Sequence, residues 1–177
     1  MKFAVFLRNV NLGRPRCPTK MQFEQAFEAA GATEAASFLV NGTLVFAAPA
    51  PRANAVLKQA LASLHETCGL VEPAFLRRVD ALARLVDADP FVAVDRNAVY
   101  ECAVTFLSPR VTLPALPFGS SRGDVEVLST NGSEAFSTCL KLGSSPGSPN
   151  ALLEKAGGAP ATTRAWNTIV RLVARFA

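Results

Sequence analysis

Histidine is nearly missing from this chain: His65 is the only one. That excludes histidine-rich metal centres and paired-histidine acid–base relays. Cysteine is sparse and scattered. Cys17, Cys68, Cys102 and Cys139 form no CxxC pair and no zinc spacing, so no metal and no cofactor is implied. No apolar run approaches the roughly 18 residues of a membrane span. The opening MKFAVFLRN holds an apolar core of only Phe3–Leu7 before Arg8, too short for a secretory signal, so a cytoplasmic location is expected. There is no G-x-x-x-x-G-K-[ST] loop for a nucleotide, and no K/R-G-F/Y-G/A-F string that would stack RNA bases. Acid is absent from both ends. Residues 1–23 carry Lys2, Arg8, Arg14, Arg16 and Lys20, and residues 155–177 carry Lys155, Arg164, Arg171 and Arg175, with no Asp or Glu in either segment. Since the net charge is only +4, residues 24–154 are net acidic. Basic ends brought together would concentrate anions; left apart, they are ordinary solvated arginines.

What is present is globular. Half of the 177 residues are hydrophobic and 18% are charged, and the length suits one domain or two small halves. Phe3–Leu7 reads as a buried strand, followed by a loop punctuated by Gly13, Pro15 and Pro18. Thr19 with Gln22 forms a capping box for a helix whose Phe23, Ala26, Phe27 and Ala30 share a face, and Gly31 stops it. Asn41-Gly42 between Ala36–Val40 and Thr43–Ala47 predicts a hairpin with a type I′ turn. Pro51 opens a second helix with the stripe Val56, Leu57, Ala60, Leu61 and Leu64. Gly69 ends it, and Leu70–Val79 is an expected strand. The order βαββαβ is that of ferredoxin-like folds.

The second half is expected to be mixed. Asp80 begins a short helix that Pro90 ends; Val99–Leu107 is a strand; Ser108–Gly123 is a loop. Val125–Ser129 and Glu134–Leu140 flank a second Asn-Gly pair, Asn131-Gly132, as another hairpin. A short helix around Ala151–Ala156 and a last helix from Arg164 to Phe176 close the chain. The predicted fold class is therefore α+β, with two interlocked subdomains: residues 1–79, ferredoxin-like, and residues 80–177, a mixed half that includes the C-terminal helix.

Three stretches match a known pattern. FLRNVNLGR keeps Arg8, Asn11 and Gly13 of an L-L-R-G-I-N-V-G-G opening. SFLVNGTLVF keeps Gly42 and the apolar frame of T-Y-I-Q-S-G-N-V-V-F. TTRAWNT keeps all but one residue of T-T-R-N-W-N-T, with Ala165 the departure, and Ala88–Phe91 fits an Asn-Pro-Phe turn. On these residues the chain resembles the bacterial domain-of-unknown-function 1697 family from end to end. The resemblance implies no activity. Val40 and Thr43 stand where the family hairpin is polar, and Asn9 stands for a glycine.

Several groups invite a functional reading beside a plain one. Arg164, placed in the first helical turn after Thr162 and Thr163, would oppose the helix dipole by about 0.3–1 kcal/mol unless a carboxylate or an anionic ligand offsets it. With Thr168, Arg171 and Arg175 it would form one basic stripe, while Trp166, Ile169, Val170 and Val173 face the core. Arg8 leaves a strand end into a loop, where binding residues gather; the neighbouring asparagines equally suit tight turns. Cys17, between Arg16 and Pro18, is the one cysteine in a setting that favours a thiolate. The Gly143–Pro149 loop could cradle phosphate before a helix or be a plain linker. His65 and the pair Asp87/Asp89 fit surface and turn roles better than catalysis. The candidate ligand-binding set is Arg8, Asn11, Gly13, Asn41, Gly42, Arg164, Asn167 and Thr168, with Arg8 and Arg164 expected to converge. The leading reading is a binding module for an anionic or phosphate-bearing small molecule. Alternatives are an enzyme built on the same Arg/Asn cluster, with Cys17 as a candidate participant, and a nonspecific nucleic-acid or protein interaction module that no motif supports. No membrane partner is expected, and the residues specify no oligomeric state.

Overall fold

The computed structural model describes residues 1–177. They divide into two compact units, residues 1–83 with 172–177, and residues 84–171. The end of the C-terminal helix groups with the first unit. Its Phe176 ring meets Phe38 edge-on at 6.0 Å, and Lys2 Nζ donates to the Phe176 carbonyl at 2.9 Å.

The first unit runs β1 (Lys2–Leu7), α1 (Lys20–Ala29), β2 (Thr33–Ser37), β3 (Thr43–Ala47), α2 (Ala53–Cys68) and β4 (Ala74–Arg78). Its sheet has the order β2-β3-β1-β4, and every neighbouring pair is antiparallel. Each helix therefore links two strands with a third lying between them, the split βαβ arrangement. Strand β1 is buried on both faces beyond Lys2, which is why it reads as an unbroken apolar run. Phe3, Val5 and Leu7 alternate toward the helices and join Leu44 and Phe46 of β3. Phe23 and Phe27 of α1, with Val56, Ala60 and Leu64 of α2, fill the same core, where Phe27 and Phe46 lie 5.1 Å apart. Burying each such side chain contributes roughly 1.5–3 kcal/mol. The capping box forms as predicted: Gln22 N–H donates to Thr19 Oγ1 (3.2 Å) and Thr19 N–H to Gln22 Oε1 (2.9 Å). A 3-10 turn, Ala50–Arg52, leads into α2, and Gly69 ends that helix in the left-handed region.

The first hairpin is present but its turn is different. Strand β2 stops at Ser37, and Phe38 N–H closes the connection by donating to the Thr43 carbonyl at 2.7 Å. Leu39 and Gly42 take positive φ (62° and 69°) whereas Asn41 does not, so this is a longer loop and no type I′ turn. Asn41 instead accepts a 2.8 Å bond from Thr43 Oγ1. Gly42 is required by space as well as by φ. A Cβ there would stand 2.8 Å from Val10 Cβ and 3.0 Å from Leu7 Cβ. The strand expected over Leu70–Val79 is shorter, because Pro73 cannot donate to the ladder and β4 starts after it.

Helix α3 (Val79–Ala88) carries the chain into the second unit, which holds β5 (Glu101–Leu107), β6 (Phe118–Gly119), β7 (Val125–Thr130), β8 (Glu134–Cys139), α4 (Pro149–Gly157), β9 (Ala161–Ala165) and the start of α5 (Trp166–Phe176). Its sheet, β6-β7-β8-β5-β9, is antiparallel throughout. One face packs Leu107, Val127, Ala135 and Ala161 on Leu153 of α4. Phe91, Phe136 and Trp166 make an aromatic cluster, with Phe91 and Trp166 5.3 Å apart. Two expectations fail here. The stretch Ser108–Gly123 contains the short strand β6. Thr162–Arg164 is strand, not helix start: β-branched threonines pair along β5, and α5 begins only at Trp166. The second hairpin holds, with Asn131 Oδ1 accepting from the Ser133 and Glu134 amides and Gly132 alone at positive φ.

Gly42→Ala is expected to lower stability by about 1–3 kcal/mol through combined φ strain and crowding against Val10. Trp166→Ala is expected to cost about 3–5 kcal/mol, because a fully packed ring leaves a large cavity. Both are read as shifts of the denaturant midpoint; an unchanged midpoint would show that the site in question does not depend on its native residue.

Candidate functional site

One end of the first unit's sheet collects five of the eight predicted residues: Arg8, Asn11, Gly13, Asn41 and Gly42. The reason is topological. The end of β1, the β2–β3 connection and the approach to β4 all lie at that edge of an antiparallel sheet. Backbone bonds fasten them together. Leu7 N–H donates to Gly42 O (2.8 Å), Arg8 N–H to Pro73 O (3.0 Å) and Leu12 N–H to Val40 O (2.8 Å). Within the loop, Gly13 N–H reaches Pro18 O (2.9 Å) and Cys17 N–H reaches Arg14 O (2.9 Å). The half-buried Arg8 guanidinium pairs with Glu72 at 2.8 Å, and Asn9 Nδ2 lies 3.5 Å from the other oxygen of that carboxylate. Glu72 carried no signal in the sequence, since its partner is 64 positions away. Asn11, Gly13, Arg14 and Arg16 are exposed, as are Leu39 and Val40 in the adjoining loop. Asn9, Arg16 and Leu39 hold left-handed backbone (φ 51°, 59° and 62°). Such conformations cost non-glycine residues about 1–3 kcal/mol each and gather at functional sites.

The other three predicted residues, Arg164, Asn167 and Thr168, belong to the second unit. Arg164 is buried on β9 opposite Val104 of β5, donating from Nη1 to Thr162 Oγ1 (2.9 Å) and to the Thr163 carbonyl (2.8 Å). Burial lowers its pKa to about 10, still well above neutrality. The helix-dipole argument for a ligand at Arg164 therefore falls, because the residue is in no helical turn. The basic stripe over Arg164, Thr168, Arg171 and Arg175 falls with it. Thr168 is buried, while Asn167 is exposed and opens on a pocket of about 250 Å3. Arg96, Val99, Tyr100, Glu101, Cys102, Ala165 and Trp166 complete that pocket. Asp89 holds Arg96 through two 3.0 Å contacts from Nη2 and also accepts the Phe91 amide at 3.2 Å. The ADPF and TTRAWNT segments thus meet here through Phe91–Trp166, and Asp89 ties Arg96 to the first of them. Desolvation raises the Glu101 carboxyl above its ordinary range and raises the Cys102 thiol, against which Arg96 works. It pushes the buried Cys139 thiol up to about 12.

The remaining sequence candidates take structural roles. Cys17 is partly buried against the first unit's core. His65 Nδ1 meets the Leu70 carbonyl at 3.1 Å. In the Gly143–Pro149 loop, Ser148 caps α4 by accepting from the Ala151 amide, and Gly147 lies so close to the Asp124 carbonyl that a Cβ would collide with it. The Gly147 amide is itself spent on the Leu140 carbonyl at 3.0 Å. No cluster of three or more His, Cys, Asp or Glu is arranged to hold a metal, and no helix is long and apolar enough to cross a membrane.

The family described as "Protein of unknown function (DUF1697)" matches residues 1–136, and the chain belongs to it. The TTRAWNT segment lies beyond the matched part. No curated protein matches the chain. Among solved structures, the chain is similar to the conserved bacterial protein SP0830 from Streptococcus pneumoniae, with a TM-score of 0.63 and 12% identity over 98% of this chain and 97% of that one. At that identity the likeness is one of fold.

Because the folded Glu101 carboxyl keeps its proton to higher pH than in the unfolded chain, the native state binds more protons in the interval above 4.5. Stability should therefore fall as pH rises through that interval. Glu101→Gln should flatten this component of the denaturant midpoint plotted against pH; an unaltered slope would remove Glu101 as its source.

Proposed function

We propose that this member of the DUF1697 family is a binding module for a small anionic, phosphate-bearing molecule, seated at the end of the first unit's sheet. The observation that carries the reading is the Arg8–Pro18 loop. It is acid-free, pinned by its own backbone bonds, held at two non-glycine positions in left-handed backbone, and it displays Arg14 and Arg16 to solvent. Strain fixed by hydrogen bonds preorganises a loop, and preorganisation lowers the ordering cost of binding. Asn11 adds a neutral donor. Arg8 is the innermost cation, and Glu72 occupies it in the ligand-free state as an internal surrogate for an anion. The exposed Leu39 and Val40, bonded to this loop through Leu12, suit an apolar portion of the same ligand.

The ion pair yields a test of unusual sign. Removing the competing carboxylate with Glu72→Gln should tighten binding of a phosphate-bearing probe, screened by thermal shift over inorganic phosphate, pyrophosphate, nucleotides and sugar phosphates. Arg14→Ala with Arg16→Ala should weaken it about tenfold, the worth of one or two charge-assisted bonds. If Glu72→Gln leaves affinity unchanged or lowers it, the Arg8–Glu72 pair is a structural clamp and the reading fails. Preference for oligonucleotides of any sequence, fading steeply with salt, would replace it with phosphate-backbone binding.

A further inference from the structure

The pocket beside Trp166 in the second unit is separate from that reading and has a different electrostatic character. The first unit's loop presents cations of one sign; this pocket presents a cation and an anion that are not paired with each other. Arg96 spends one nitrogen, Nη2, on Asp89 and stacks over Phe91 with 5.8 Å to the ring centroid. Its Nε and Nη1 remain as donors. Glu101 stands exposed at the start of β5 and makes no ion pair. Asn167 supplies an amide with both donor and acceptor capacity, and the exposed Tyr100 and the buried Trp166 line the remaining wall. Asn167 lies in the first turn of α5, whose amide dipoles add partial positive charge there.

This combination discriminates by charge. A bare anion meets Glu101, with Asp89 already behind Arg96, and a bare cation leaves the remaining Arg96 donors without a partner. A molecule with both charges uses both groups. The volume, about 250 Å3, admits only a small molecule. From the opposed charges and this volume we infer that the pocket is a binding site for a small zwitterion of the α-amino-acid class. The carboxylate lies toward the free donors of Arg96 and the Asn167 amide, and the ammonium lies toward Glu101 and the aromatic wall.

Trp166 is the chain's one tryptophan and lines the pocket, so occupancy is read directly in its fluorescence. The full chain is titrated with glycine, L-alanine and L-serine, and in parallel with N-acetyl-L-alanine, which lacks the ammonium, L-alanine methyl ester, which lacks the carboxylate, and inorganic phosphate. At least one free amino acid should give a saturable change. Its acetylated and esterified forms should bind about tenfold more weakly or worse, the loss of one charge-assisted contact. Glu101→Gln, which preserves shape and is checked for folding by circular dichroism, should abolish discrimination against the acetylated form while leaving discrimination against the ester. No saturable change with any free amino acid overturns the inference, as does equal binding of alanine and N-acetyl-alanine. Phosphate matching the amino acids at Trp166 would make the pocket a simple anion site and also overturn it. The first-unit reading is untouched by these outcomes, because its probes and variants report on Glu72, Arg14 and Arg16.

Discussion

The contact between Gly42 and the Leu7–Val10 bend governs the first unit. Leu7 ends the central strand by donating to the Gly42 carbonyl, and Val10 Cβ stands where a Gly42 Cβ would be. That approach sets the register of β1 on β3, which runs Phe3 against Phe46 and Val5 against Leu44. The register in turn puts Phe3, Val5 and Leu7 on the helix-bearing face. A slip of one residue would send each of them to the opposite face. The loop leaving β1 inherits the same constraint, so its arginines are held by the hydrogen-bond frame of the sheet end. Binding residues on loops owe their precision to such a scaffold.

In the second unit the corresponding constraint is burial of charge. Arg164 sits within the sheet and satisfies part of its guanidinium with Thr162 and the Thr163 carbonyl. A buried cation without donors matched to acceptors costs several kcal/mol, so the threonines around it serve the charge as much as the strand. Three residues further on, Asn167 is exposed at a pocket that Arg96 and Glu101 also line. The segment Thr162–Thr168 therefore divides its labour: the strand part supports the sheet, and the helix part opens a site.

Much of the fold was legible in the sequence because it is written in short-range chemistry. The capping box at Thr19, the glycine stop at Gly69, the helical stripes of α1 and α2 and the burial of Trp166 each depend on residues within a turn or two. So does the existence of both hairpins, although the turn types do not. Asn41 takes no left-handed conformation because β2 stops at Ser37 and Phe38 closes a longer loop. The helix start at Arg164 was misplaced for a related reason. Threonines before an apolar helical pattern look like caps, and pairing with β5, some 60 residues earlier in sequence, overrides that local preference.

The candidate residues divide along the same line. Arg8, Asn11, Gly13 and Gly42 could be singled out one by one, since strand ends and tight loops announce themselves locally. Their partner Glu72 could not, because nothing near it in sequence marks it as the counter-charge of Arg8. Arg96 and Glu101 were invisible for the same reason: a surface arginine and a strand-end glutamate acquire meaning only when β5 and the start of α5 bring them to one open pocket. Sequence by itself determined the elements, their order and the sign of the charge at the chain ends, all consequences of nearest-neighbour sterics and composition. Tertiary structure alone decided which charges are neutralised internally and which face a cavity, because electrostatic energy depends on distances that chain order does not encode.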